Sequence, residues 1–481
     1  MAEQLKDKTA RGFLWGALNN GTMQILNAVF GIVLARILTQ ADYGLVGMLT
    51  IFTSIASSLQ DSGFVTALTN KRDASHRDYN SVFWFNIGMG ACLYCLFFLS
   101  APLVARFYGE PVLCPLFRYY SLGFFVAAFS IVPRAMLFKQ LKQKELAAVS
   151  VFSLIISGII GVVMALNGMA YWGIATQGIA YTASVSVLSW VISGWRPSLQ
   201  VTLQPVREMF GFSSKMLITN ICQQVNNNIF AVILGKLYTA EDVGSYNQAN
   251  KWNTMGASTI TGMVQGVAQP TFVQIGDDRE RLCRAFSKML RFTCFVSFPA
   301  MFGLALIAPE FITILITEKW LSSAYLMQIL CIGGAFLPIA TLFYNMIISR
   351  GRSNVYMWNI IIQGMLILAT VLAIHLLGGG ITQMVWAYVA IIIGWTAVWS
   401  YFVHREIGFP FVQVLRDIMP FLVISAVTMA ATGWITQGIS NIYLLLISRI
   451  CLATLLYICI LWLTGANILR ECIGFILKKK V

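Results

Sequence analysis

Apolar runs long enough to cross a membrane recur along nearly the whole chain, and they constrain its fold more than any motif does. A helix spanning ~30 Å of hydrocarbon needs ~20 mostly apolar residues. Windows of that kind fit fourteen times: 13–37, 45–69, 81–105, 116–137, 146–166, 173–195, 214–237, 252–274, 292–316, 323–348, 355–377, 381–403, 418–437 and 442–464. Inside lipid every backbone group needs an internal partner, which apolar runs of this length find as helices. The expected fold is an all-α integral membrane protein of about 14 transmembrane helices. Composition agrees, since 58% of the 481 residues are hydrophobic and only 11% are charged, outside the balance of a soluble domain. No polar stretch exceeds about 20 residues, which leaves no room for a separate soluble domain.

The formal charge of +14 invites a nucleic-acid reading, but the cations sit in short loops between apolar runs. With a cytoplasmic N-terminus, 26 of the 33 basic residues fall in cytoplasmic segments, which is the positive-inside pattern. Both termini are then expected on the cytoplasmic side, and no nucleic acid is expected as a partner. Met1 to Arg11 is polar and carries Lys6, Lys8 and Arg11 ahead of a full-length apolar run. It reads as the start of an uncleaved first helix. Cys92 and Cys95 form a C-x-x-C inside an apolar run, where packing is the expected role. His76, His375 and His404 are scattered, so no metal site is expected.

Two stretches 200 residues apart repeat one another. Asn20, Gln24, Asn27, Phe30, Leu34, Thr39, Asp42 and Gly44 return without a gap as Asn220, Gln224, Asn227, Phe230, Leu234, Thr239, Asp242 and Gly244. Six windows precede the second copy, so both copies start in one orientation and the internal repeat is parallel, about an axis along the membrane normal. The expected domains are an N-terminal lobe of six helices over residues 1–195, an inter-lobe cytoplasmic loop over 196–213 with Pro197 and Pro205, a second six-helix lobe over 214–403, and two additional C-terminal helices with a basic tail over 404–481. A second long inner loop, Gly276 to Arg291, places Arg281, Arg284, Lys288 and Arg291 at helical spacing and is expected to lie on the membrane surface.

Positions 20, 24 and 27 share an arc of about 60° on a helix, and positions 220, 224 and 227 repeat it. Amides facing lipid are costly, so each stripe either bonds neighbouring helices or lines a central path between duplicated halves. Arg36 and Lys236 fall roughly 160° around the wheel and are expected to reach outer headgroups. Asp61, read as the one acidic residue well inside a window, is the candidate for ion coupling. The alternative is a structural pair with Lys71, Arg72 or Lys215. Tyr246, Asn247, Gln248, Asn250 and Lys251 form the most polar start of any helix.

Intramembrane cations suit an anionic headgroup, whereas drugs or metal ions call for carboxylates. Arg134, Lys215, Lys251 and Arg449 form that cationic set, with interfacial anchoring as the alternative, above all for Arg134 and Lys215. Pro133, Pro270, Pro299 and Pro338 interrupt helices and offer bending points. Walker A, H-E-x-x-H and G-x-S-x-G sequences are absent, as is a carboxylate pair in an aqueous loop, so neither an enzyme nor a cofactor is expected.

Several segments carry a likeness over essentially the whole chain. Lys8-Thr9-Ala10-Arg11-Gly12, the run from Leu34 through Thr39-Gln40-Ala41-Asp42-Tyr43-Gly44, Asp61-Ser62-Gly63-Phe64, Pro133-Arg134 through Lys139, and Val243-Gly244-Ser245-Tyr246 with Ala249-Asn250-Lys251 resemble the bacterial polysaccharide flippases. These are the Wzx-type polysaccharide transporters of the multidrug/oligosaccharidyl-lipid/polysaccharide exporter superfamily. The resemblance implies translocation of an undecaprenyl-pyrophosphate-linked oligosaccharide, an O-antigen, capsule or exopolysaccharide unit, across the bacterial cytoplasmic (inner) membrane. It makes Arg134, Lys215 and Lys251 candidates for pyrophosphate, and Asn20, Gln24, Asn27, Asn220, Gln224 and Asn227 candidates for sugar hydroxyls. It also implies coupling to a proton or sodium gradient, for which Asp61 is available, and a glycan polymerase or other export machinery as partner. A cation-coupled multidrug exporter of the same superfamily is the alternative, disfavoured by the shortage of intramembrane carboxylates. A glycan polymerase or ligase, from a different class, needs a large charged outer loop that the chain lacks. A flippase for the peptidoglycan precursor has no residue here to separate it.

Overall fold

Apolar segments in lipid have only their own backbone to bond with, and the described chain is accordingly built of helices joined by short turns, with no strand among the described residues. The computed structural model describes residues 2–61, 68, 74–198, 204–464 and 468, with the side chains of residues 2–18, 61 and 204–219 excepted. In chain order the helices are α1 (Ala2–Ile37), α2 (Gln40–Met48), α3 (Thr50–Asp61), α4 (His76–Tyr108), α5 (Leu113–Tyr120), α6 (Leu122–Lys139), α7 (Gln143–Leu166), α8 (Ala170–Ser193) and α9 (Gln204–Leu237). They continue as α10 (Ala240–Ile275), α11 (Arg279–Leu306), α12 (Ala308–Ile316), α13 (Leu321–Gly334), α14 (Leu337–Ser349), α15 (Ser353–Leu376), α16 (Ile381–Ile407), α17 (Phe411–Ile435) and α18 (Ile442–Leu463).

Among the described residues nine helical segments are long and apolar enough to cross a membrane, and the α2–α3 pair, bent by 42°, is a tenth if it counts as one span. Helices α1, α9 and α10 have 36, 34 and 36 residues, ample length at ~1.5 Å per residue. They are the helices that carry the repeated amides and Lys251.

Several expected windows divide, for local reasons. The window 292–316 breaks between α11 and α12, where Pro309 occupies the first turn of the new helix. The window 323–348 breaks before Pro338, which likewise sits at the start of α14. A first-turn proline gives up an N–H that would be unbonded anyway. Pro133, Pro270 and Pro299, by contrast, lie inside continuous helices. The basic stretch expected on the membrane surface is instead the opening of α11: the Asp278 side chain accepts from Arg281 N at 3.0 Å and starts a helix that runs unbroken to Leu306. Helix α9 already begins at Gln204, with Pro205 in its first turn, so the loop between α8 and α9 is shorter than its prolines suggest.

The chain packs as two units, Met1–Gly244 and Ser245–Val481. In the first, α7 lies along α8 and α1, α6 packs on α8 and α4, and α9 packs on α3 and α4. Phe83 centres an aromatic cluster with Trp190 and Trp195, and Val82, Val132 and Tyr79 bury beside it. Trp190 Nε1 donates to Phe129 O at 2.7 Å. Trp84 Nε1 donates to Ser198 O, and Ser198 N donates to Asn80 Oδ1, both at 2.8 Å. The segment that follows α8 is thereby pinned to α4.

In the second unit α11 packs on α17, α13 and α14, and α13 packs on α16. The fully buried Phe286 meets Phe343 and Phe409 edge to face. Helix α18 lies on α17, α12 and α11, and its Tyr457 hydroxyl donates to Phe295 O at 3.0 Å.

Candidate functional site

The repeat separates into residues that build the fold and residues that do not. Thr39 and Thr239 precede α2 and α10. Each side chain accepts from the backbone N–H of Asp42 or Asp242 at 3.3 Å, while the Asp carboxylate accepts from the Thr N–H at 2.9 and 3.2 Å. These are reciprocal capping boxes, an N-cap arrangement whose loss costs about 0.5–2 kcal/mol. Leu34, Leu234 and Phe230 are buried, and the Phe30 ring lies so close over Gly158 that a Cβ there would overlap it. Gly44 and Gly244 mark a close approach of the two copies inside the first unit. A Cβ on Gly44 would strike the Ala240 carbonyl, and one on Gly244 would strike the carbonyl of Gln40, the residue that Ala240 matches 200 positions later.

The three remaining pairs have no such task. Asn20, Gln24, Asn27 and Asn227 are exposed, Asn220 and Gln224 half-buried, and none of the six side chains hydrogen-bonds a described residue. Neighbouring Asn19 and Asn226, which the sequence reading passed over, each bury a side-chain oxygen without a partner. An unmet buried polar atom costs about 1–3 kcal/mol, so polar side chains kept on these faces without partners suit a wet or ligand-bearing surface.

Arg134 is exposed on α6 between the buried Pro133 and Ala135, near enough to Tyr181 of α8 to act on its hydroxyl electrostatically. The backbones of Asp61 and Lys215 belong to α3 and α9, and their side chains lie outside the described residues. All the candidates except Lys251 fall in the first unit, and Lys251 falls in the second. Lys251 is half-buried, and no described residue bonds or ion-pairs with it. One turn before it Gln248 is only 1% exposed, with both ends of its amide unpaired. Positions three apart share a helix face, so Gln248 and Lys251 form one polar patch. An ammonium and a neutral amide can serve a phosphate oxygen and a hydroxyl respectively.

Other cations have structural work. Lys236 donates to Phe107 O in the last turn of α4 at 2.6 Å and lies 5.0 Å from the Phe107 ring, a helix C-terminal contact rather than a free reach to headgroups. Arg449 pairs with Glu310, which removes it from the anion-binding set. Glu310 corrects the reading of Asp61 as the one acidic residue well inside a window, because it sits within 292–316 behind Pro309. Asp417 was passed over because the window 418–437 began one residue later. It is 4% exposed and accepts from the Ser287 hydroxyl at 2.5 Å, which ties α17 to α11.

Long helices with unpaired amides, a duplicated α1–α2 and α9–α10 unit, and a buried ion pair kept for packing define a multi-pass helical membrane transporter. Residues 33–325 match the family model described as polysaccharide biosynthesis protein, and the chain belongs to that family. It is 25% identical over 358 residues to the lipopolysaccharide biosynthesis protein WzxC of Escherichia coli (strain K12), covering 73% of this chain and 72% of WzxC. Against the teichuronic acid biosynthesis protein TuaB of Bacillus subtilis (strain 168) it is 26% identical over 435 residues, 88% of each chain. In fold it matches the lipid II flippase MurJ in an inward closed conformation, with a TM-score of 0.76 at 14% identity over 96% of this chain and 100% of that one.

Proposed function

We propose that the chain flips an oligosaccharide linked through pyrophosphate to a polyprenol, from the inner to the outer leaflet of a bacterial cytoplasmic membrane, by alternating access. The protein moves its substrate and makes or breaks no covalent bond. The observation that carries this reading is the division of labour inside the repeat. Capping, packing and close approach account for five of the eight repeated residues, and what is left is a pair of amide stripes without partners. Sugar hydroxyls both donate and accept, and so do amides.

Family membership and relatives concerned with surface glycans support polysaccharide assembly as the setting. In this reading Asn20, Gln24, Asn27, Asn220, Gln224 and Asn227 pass the glycan along, and Arg134, Lys215 and Lys251 hold the pyrophosphate. Asp61 couples movement to a proton or sodium gradient. Both termini are cytoplasmic, and a glycan polymerase or other export machinery takes over on the far side. Deleting the gene in its host tests the proposal. Surface glycan should disappear while lipid-linked repeat units accumulate on the cytoplasmic face; normal surface glycan in a strain without a second flippase would refute it.

A further inference from the structure

The second half of α10 is unusual in being exposed almost all round. Of residues 261–270 only Ala268 is buried, and its faces differ in chemistry. Gly262, Gln265, Gly266 and Gln269 make a small and polar side, with open space where the two glycines would carry a Cβ. On the other side Met263, Val264 and Val267, with Met263 and Val267 60% and 57% exposed, form one wall of an apolar groove closed by α11 and by Leu342 of α14. Its volume is about 360 Å³, and Phe292 and Lys288 of α11 complete its lining. Lys288 is the single charged residue among its described lining. Arg284 and Arg291, four residues before and three after, fall within about 60° of it on the helix.

A helix with a polar face and a grooved apolar face separates water from hydrocarbon along its length, which is what a ligand with a polar head and a long apolar chain has to straddle. We propose that this groove between α10, α11 and α14 is the loading site for the polyprenyl chain of the substrate, with the Lys288 ammonium meeting a phosphate oxygen at one end. The proposal rests on the lipid-linked reading above, and it adds a place for the chain and a cation distinct from Lys251. The branched aliphatic walls match an isoprenoid chain, and the basic arc of Arg284, Lys288 and Arg291 complements a phosphate ester. A groove of this kind in a water-soluble protein would be an interface; along α11, a helix long and apolar enough to cross a membrane, a lipid chain is the matching partner.

The full-length protein in detergent, mixed with undecaprenyl phosphate and an excess of phosphatidylglycerol and read by native mass spectrometry, tests this directly. Wild type should retain undecaprenyl phosphate in preference to phosphatidylglycerol. Val267→Trp and Met263→Trp, both at exposed positions that fill the groove, should each reduce retention about tenfold without lowering the melting temperature. Lys288→Gln should weaken undecaprenyl phosphate and leave undecaprenol unaffected. Equal retention of phosphatidylglycerol, or unchanged retention in both Trp variants, overturns the proposal. Leaflet exchange of a polyprenyl-pyrophosphate glycan by wild type is scored separately. Its failure with groove binding intact would reject the transport reading and leave the groove in place.

Discussion

Arg449 Nη1 lies 2.7 Å from Oε1 of Glu310, joining α18 to α12. The guanidinium also donates to Leu306 O at 3.1 Å and to Thr436 Oγ1 at 3.3 Å, and the two charged side chains are 15% and 10% exposed. The last helix, outside the duplicated part of the sequence, is therefore fastened to the second unit by a buried pair that either partner alone cannot support. Arg449→Ala should cost about 3–5 kcal/mol, because it leaves a carboxylate buried and uncompensated. Replacing both residues by Leu should cost clearly less. Thermal melting of the purified variants checks the order, and a double variant no more stable than Arg449→Ala would show that the pair is not what holds α18.

Gly44 and Gly244 approach backbone carbonyls that are themselves related by the repeat. Gly44→Ala and Gly244→Ala should therefore behave alike, each destabilising by about 1–3 kcal/mol through overpacking. Melting curves of the two variants test that symmetry. A loss confined to one of them would mean that only one of the two contacts constrains the fold.

The amide stripe should separate function from stability. Combined replacement of Asn20, Gln24 and Asn27 by Ala removes no described hydrogen bond, so stability should stay within about 0.5 kcal/mol for each residue. Glycan leaflet exchange should fall about tenfold or more. A large drop in melting temperature with exchange preserved would instead identify the stripe as glue between helices.

The membrane class and the repeat were legible because both are written in spacing. Apolar length reports bilayer thickness, and Thr39 and Asp42 stood out as repeated residues, while their capping box at the start of α2 is seen only in the structure. Arg449 was not legible, since a cation in an apolar run reads the same whether it awaits a phosphate or meets Glu310, and the partner lies 139 residues away. Asp417 escaped because window edges are set by hydropathy, whereas α17 begins at Phe411. The basic opening of α11 misled for a related reason: helical spacing of charges fits a surface helix and the first turns of a spanning helix equally well, and the Asp278 cap with an unbroken run to Leu306 decides between them. Gln248 was visible as part of a polar helix start, but its full burial beside Lys251 comes from packing across elements.

The central claim is movement of a lipid-linked glycan past a half-buried lysine with no described partner. Purified protein in liposomes containing a defined polyprenyl-pyrophosphate glycan, followed by the fraction of glycan accessible to an external glycosidase, measures it most directly. Wild type should speed leaflet exchange well beyond protein-free liposomes. Lys251→Ala should slow it about tenfold or more, as expected for a lost charge-assisted hydrogen bond of about 1.5–3 kcal/mol. Exchange by wild type no faster than in empty liposomes would contradict the account.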